Sequence, residues 1–244
     1  MYVSVAVMDT GIFRHMDFDT RIAGFADFVG RKKYLYDDNG HGTHVAGIIA
    51  GSGKGSNGKY RGIAPDAFLV SVKVLDKSGN GKIENVVEAA GWIIENKSAM
   101  NIRVVNISFG TRAKMENGPA IETGEDDYAL IMAVEKMWDS GIVVVAAAGN
   151  NGPGNASVTA PGISKKIITV GAFDDKNFFS GRGPTRECIV KPEVVVTGSN
   201  IIACNNHQGR YSSKSGTSMA APVVSGAVAR LIKNNPDITP KEVK

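Results

Sequence analysis

Cysteine is nearly absent: 244 residues contain two, Cys188 and Cys204. Sixteen positions apart, they permit one disulfide but form neither a disulfide framework nor a CxxC metal pair, and they leave the redox compartment open. Long hydrophobic runs are missing as well. Stretches such as Gly141 to Ala148 fall far short of the ~18 residues that span a bilayer, and no charged, apolar and small-residue leader opens the sequence. Nor does charge of one sign accumulate. Lys plus Arg number 28 against 24 Asp plus Glu, a net charge of +4, and the densest runs, Arg31-Lys32-Lys33 and Glu125-Asp126-Asp127, read as solvated loops. That balance argues against nucleic acid as a partner. No Pro/Ser-rich linker, internal repeat or shift in composition divides the chain, so a single domain over residues 1–244 with one sizeable core is expected.

What is abundant is glycine: 29 residues, about 12% against a typical ~7%. There is no Gly-X-Y repeat, and 43% hydrophobic residues is too many for a disordered chain, so glycine here marks backbone positions rather than flexibility. Short apolar runs alternate with helical periodicity, the pattern of an α/β protein whose mostly parallel sheet carries helices on both faces. Strands are predicted at Val3 to Met8, Phe68 to Leu75, Arg103 to Ile107, Ile142 to Ala148, Ile167 to Ala172 and Glu193 to Val196. Helices are predicted at Gly42 to Ala50, Ile83 to Lys97, Tyr128 to Ser140 and Ser218 to Lys233. Ile238-Thr239-Pro240-Lys241-Glu242 reads as a further helix start, with a Thr cap and Pro in the first turn. It stops at Lys244, and Met1 runs almost directly into the first strand, so truncation at the C-terminus and a missing N-terminal segment are both expected.

Several chemistries fail on spacing. Gly51-Ser52-Gly53-Lys54-Gly55-Ser56 lacks the interval of a P-loop and reads as a surface turn, and Gly149-Asn150-Asn151-Gly152-Pro153-Gly154 does not fit a dinucleotide fingerprint. His41 and His44 lack the Glu of H-E-x-x-H, and Gly216-Thr217-Ser218-Met219-Ala220 is not a G-x-S-x-G elbow. Four segments remain. Val7-Met8-Asp9-Thr10-Gly11 sets an acid at the carboxyl end of the first strand, where open α/β sheets place their sites. Asn39-Gly40-His41-Gly42-Thr43-His44 starts a helix with two histidines, and Ser215-Gly216-Thr217-Ser218-Met219-Ala220-Ala221-Pro222 starts another with a serine. Val145-Ala146-Ala147-Ala148-Gly149-Asn150 ends a strand in a carboxamide that can donate two hydrogen bonds. Each segment alone has an ordinary capping explanation. Together, Asp9, His41 and Ser218 are the acid, base and nucleophile of acyl transfer, with Asn150 as a candidate oxyanion donor.

On the motifs V-M-D-T-G, H-G-T-H-V-A-G, A-A-A-G-N and S-G-T-S-M-A-A-P, which together cover nearly the whole chain, the sequence resembles the subtilisin-like serine peptidases. The resemblance implies a three-layer fold and a serine endopeptidase. It assigns Ser218 as nucleophile, His41 as base and acid, Asp9 as its orienting carboxylate, and Asn150 with the Ser218 N–H as the oxyanion site. It makes His44 a buried structural histidine, whereas His15 and His207, with no motif around them, read as surface residues. An extended polypeptide substrate would pair with Gly79-Asn80-Gly81 on one side and Ser108-Phe109-Gly110 on the other. Thr159-Ala160-Pro161-Gly162 matches the family's pocket floor, which implies a medium or large apolar side chain before the cut and a cis bond at Ala160-Pro161. Met219, beside the nucleophile, is expected to be sensitive to oxidation.

Departures from the family pattern carry expectations too. The stretch after the His41 helix, where the family commonly places a calcium loop, has three basic residues between Gly51 and Gly62 and no carboxylate, a poor calcium site. No cofactor is expected to be required; a structural calcium is allowed for at no assigned position, with Asp37-Asp38-Asn39 an acidic candidate better explained as a turn and cap before His41. Thr111 to Asp127 reads as a long acidic loop near the cleft. No stretch reads as the family's inhibitory propeptide, and no membrane partner is expected. Lack of a leader suits an intracellular bacterial peptidase, with a slight lean to the cytoplasm, but a trimmed secreted enzyme would look the same.

Overall fold

The computed structural model describes residues 2–111 and 124–244. Seven strands form one sheet in the order β2-β3-β1-β4-β5-β6-β7, every neighbouring pair parallel. They are β1 (Ser4–Asp9), β2 (Ile22–Asp27), β3 (Phe68–Lys73), β4 (Ile102–Ile107), β5 (Val143–Ala147), β6 (Ile168–Ala172) and β7 (Val194–Val196). A separate antiparallel hairpin joins β8 (Ile201–Cys204) to β9 (Tyr211–Lys214). The helices are α1 (His41–Ala50), α2 (Ile83–Asn96), α3 (Glu125–Asp139), α4 (Thr217–Asn234) and the short α5 (Pro240–Val243). None among the described residues is long and apolar enough to cross a membrane.

Strand alternation builds the layers. In β1, Val5 and Val7 join the core packed by α1 and α4, while Ala6 and Met8 join the core packed by α2 and α3. β4 repeats the division with Val104 against Val105 and Ile107. The α2 and α3 faces follow i, i+3, i+4, i+7: Val86, Ala89, Ala90 and Ile93 are buried in one, Leu130, Ala133, Val134 and Met137 in the other. α1 is buried from Gly42 through Ala50, with its two buried polar side chains, Thr43 and His44, hydrogen-bonded. Two helices on each face of a parallel sheet make the expected three layers.

Differences from the sequence reading have local causes. β2 was not expected, because its Gly and Ala residues and half-exposed edge position give no apolar run. The hairpin was missed because Tyr211-Ser212-Ser213-Lys214 is polar and its partner only four residues long. Glu125, Asp126 and Asp127 are not a loop but the first turn of α3, where carboxylates face the positive end of the helix dipole. The rest of the expected loop at Thr111 to Asp127 lies largely outside the described residues. Cys188 and Cys204 are both free, one exposed and one buried. The helix start near Thr239 is present, with a reciprocal capping box to Glu242.

His15 corrects the surface reading: it is 2% exposed, stacked edge-on near Phe18 and Tyr211, with Nε2 on the Arg210 carbonyl and Nδ1 accepting the Asp17 N–H. The Gly51 to Gly62 stretch is likewise more than a surface turn. It wraps onto the buried Asp17 carboxylate, which accepts the N–H groups of Gly53 and Gly55 and the Tyr211 hydroxyl, with the Cys204 thiol 3.5 Å away. Burial and the adjacent Asp17 charge push that thiol's pKa well above its usual range.

Candidate active site

β1 lies where the strand order turns, with β2 and β3 to one side and β4 to β7 to the other, so a crevice opens at its carboxyl end. Asp9 is the last residue of β1 and is fully buried. It accepts the Thr10 N–H at 2.7 Å and faces His41 Nδ1 at 2.8 and 3.0 Å through its two oxygens. Such closeness needs a helix start that presses onto the strand end. Gly42 makes it possible, since a Cβ there would sit 2.2 Å from the Gly11 carbonyl oxygen and 3.0 Å from Asp9 Cβ.

Two further groups fasten this junction. Asp37 is buried, and its Oδ1 accepts the Thr10 hydroxyl and the N–H groups of Asn39 and Gly40, while Oδ2 accepts the Thr43 N–H. Thr10 in turn accepts the Gly42 N–H, so one carboxylate ties the residue after Asp9 to the first turn of His41's helix. Lys73, in the apolar run of β3, is 1% exposed; its ammonium donates to the Thr10 and Leu75 carbonyls and to Asp38, and lies 5.0 Å from the Tyr36 ring centroid. A buried ammonium is tolerable when its donors are used in this way.

Burial by itself would lower the His41 pKa, but the Asp9 charge and hydrogen bond, with a contribution from Asp37, outweigh it and raise the imidazole above its ordinary value; Lys214 pulls the other way. His44 is the opposite case. Burial takes it down to about 4, so it is neutral, and its Nε2 reaches the Ile201 and Ser212 carbonyls to bind the β8–β9 hairpin to α1. This is the structural histidine expected. His207 is exposed, also as expected.

Ser218 stands in the first turn of α4, where unpaired N–H groups and the helix dipole favour negative charge. Its hydroxyl donates to the Ser108 carbonyl at 2.8 Å, and among the described residues no hydrogen bond joins it to His41. Asn150, beyond the end of β5, accepts from both the N–H and the hydroxyl of Thr217 on Oδ1. That fixes its orientation and leaves the Nδ2 end beside Gly216, where a Cβ would lie 3.4 Å away. Thr217 also holds the Gly149 N–H through its hydroxyl, an orienting part that the sequence motif contained but that only the hydrogen bonds expose.

The segments proposed for peptide pairing follow β3 and β4, the two strands flanking β1. Gly79-Asn80-Gly81 lies in an exposed turn folded over Asp76, whose Oδ1 accepts the Ser78 and Asn80 N–H groups. Ser108 is 2% exposed, Phe109 packs against the α2 and α3 core, and Gly110 is exposed. Thr159 stands against both Gly110 and Gly149: a Cβ on either glycine would come within 2.4 or 2.6 Å of its hydroxyl. The Ala160-Pro161 bond is cis, as expected. The structure thus gathers Asp9 with His41, and Ser218 with Ser108 and Asn150. Asp37 caps the turn before His41, as read for Asp37-Asp38-Asn39; Lys73 was not singled out, and a lysine inside Phe68-Leu69-Val70-Ser71-Val72-Lys73-Val74-Leu75 was its signal.

A carboxylate, an imidazole, a helix-terminal hydroxyl and a carboxamide beside the carboxyl ends of a parallel sheet's strands are the kinds of group a serine hydrolase uses. The Subtilase family model matches residues 2–244, and the chain therefore belongs to the subtilase family. It is 43% identical to the serine protease AprX of Bacillus subtilis strain 168 over 99% of its own length, but spans only 59% of that relative. It is 35% identical to subtilisin DY of Bacillus licheniformis, covering 99% of this chain and 81% of the relative. Among solved structures, a cold-adapted subtilisin-like serine proteinase superposes with a TM-score of 0.79 at 32% identity, over 99% of this chain and 79% of that one.

Proposed function

We propose that this chain is a serine endopeptidase that acts through an acyl-enzyme on Ser218. The Ser218 hydroxyl oxygen attacks the scissile carbonyl while His41 Nε2 takes its proton; the tetrahedral intermediate collapses, and His41 returns the proton to the leaving amine. Water then attacks the ester by the same route in reverse order. Asp9 holds the imidazole in the tautomer that leaves Nε2 free to accept, and stabilises the imidazolium. Asn150 Nδ2 and the Ser218 N–H receive the oxyanion. The observation that carries this reading is the fully buried Asp9 carboxylate at 2.8 and 3.0 Å from His41 Nδ1.

The substrate lies extended between Gly79-Asn80-Gly81 and Ser108-Phe109-Gly110, bound mainly by its backbone, with the side chain before the cut running toward Thr159. The match of Thr159-Ala160-Pro161-Gly162 to the family's pocket floor supports an apolar preference there. An inhibitory propeptide, if the full gene product carries one, would occupy the same extended track. The donors already on the Asp37 oxygens support its reading as a turn and cap over that of a calcium ligand.

A fluorogenic peptide assay tests the reading. Wild-type protein should cleave and be labelled on Ser218 by a serine-directed phosphonate; Ser218→Ala should lose all but residual turnover and all labelling. Undiminished turnover by Ser218→Ala would overturn it, and so would a wild-type chain that neither cleaves nor labels. A peptide-library profile dominated by Arg, Lys or Asp before the cut would overturn the apolar preference alone.

A further inference from the structure

Beneath Ser218, between β4 and α4, runs a chain of buried polar side chains with no part in proton transfer. Ser225 Oγ donates to Asn106 Oδ1 at 2.8 Å, Asn106 Nδ2 donates to Ser108 Oγ at 2.9 Å, and Ser108 Oγ donates to the Ser218 carbonyl at 2.9 Å. Ser218 answers by donating its own hydroxyl to the Ser108 carbonyl. Ser225 and Asn106 are fully buried and Ser108 is 2% exposed.

Nothing in the apolar packing asks for these groups. Asn106 is in register with Val7 on one side and Val145 on the other, and alternates with Val104 toward the α4 face, where an aliphatic side chain would fill the same layer. A buried carboxamide costs stability unless its hydrogen bonds are made, and here both ends of the Asn106 amide are used. Such a network specifies one arrangement of its elements more strictly than apolar packing does. Ser218 and Ser225 are seven residues apart, two helical turns, so they lie on one face of α4. The chain therefore clamps α4 to the end of β4 at two heights and sets both its rotation and its depth.

We propose that Asn106 and Ser225 are positioning residues for Ser218, acting through Ser108 to fix the first turn of α4 against the end of β4. This rests on the reading of Ser218 as the nucleophile. Because a displacement of about 1 Å at a reacting group can lower a rate by 10²-fold, a one-hydroxyl change two turns away is expected to register in catalysis.

Ser225→Ala removes a single oxygen and leaves Asn106 Oδ1 without its donor. The expected result is a kcat lowered roughly ten-fold with KM within about two-fold, together with a parallel fall in the rate of phosphonate labelling while the final stoichiometry stays at one per chain. A lowered melting temperature with unchanged kcat and labelling rate would make the network purely structural and overturn the proposal. The second measurement is a double-mutant cycle. In a Ser108→Ala background, where the chain is already cut, Ser225→Ala should add little further loss; independent, multiplying losses would overturn transmission through Ser108. Wild-type protein that fails to label at all refutes the nucleophile assignment instead, so the two failures are distinguishable.

Discussion

His41 is set by opposing charges. With its pKa raised above the ordinary 6.5 by Asp9 against the cost of burial, it must lose a proton before it can act as a base, so the acid limb of kcat/KM should lie above the limb of a free imidazole. Lys214 lowers that pKa. Lys214→Met should therefore move the acid limb to higher pH, as read from a pH profile of kcat/KM; a limb that stays put or moves down would remove Lys214 from the site's electrostatics. Linkage gives the matching sign for stability. A raised imidazole pKa contributes stability that is complete below pH ~6.5 and disappears as pH rises through the folded-state value. At Asn150 the expectation is larger. If Asn150 is the proposed oxyanion donor, Asn150→Ala should lower kcat roughly 10²–10³-fold with little change in KM, the range typical of losing one such donor; a loss confined to KM would place Asn150 in ground-state binding instead. The proposed site was legible because Asp9, His41, Ser218 and Asn150 sit in short motifs of distinctive residue types. His15 was not, since the Tyr211 ring and the Arg210 carbonyl that enclose it come from residues distant in sequence.

At the scale of elements, legibility followed periodicity. The four long helices and five of the sheet strands announce themselves because their faces are buried against the apolar layers on either side of the sheet, and the exposed β7 does so by its run of valines, whereas β2 and the β8–β9 hairpin carry polar or small residues whose placement is decided by neighbours. The hairpin matters nonetheless, since His44 ties it to α1 and it leads directly into Ser218's helix. The loop between α1 and β3 is another element held by something no local pattern reveals, the Asp17 carboxylate. Asp17→Asn keeps the shape but cannot accept from every donor, and each unsatisfied buried N–H or O–H costs about 1–3 kcal/mol. Its melting temperature should fall by the same amount in excess chelator and in millimolar calcium. A deficit that appears only in calcium would mean that Asp17 holds a cation, contrary to the donor arrangement.

For the molecule as a whole, the sheet order decides where a peptide can lie. β1 carries Asp9, and its two neighbours β3 and β4 end in the only two segments proposed to pair with substrate, so a bound strand must cross the carboxyl ends of three adjacent strands. Glycine belongs to the proposed geometry: Gly79, Gly81 and Gly110 lie in the two proposed pairing segments, and a Cβ on Gly81 or Gly110 would already collide with Leu75 or Thr159. α4 offers an internal control, since its 18 residues put Arg230 and Lys233 near its far end, about 18 and 22 Å along the axis from Ser218 for a helix rising 1.5 Å per residue. An extended peptidyl inhibitor that bonds to Ser218 should then slow amide hydrogen exchange at 79–81 and 108–110 and leave Arg61, Gly62 and the last turn of α4 unchanged. Protection at only one of the two segments would reduce the cleft to a single-sided pairing, and protection at neither would show that the peptide is held by its side chains, against the backbone-bound geometry.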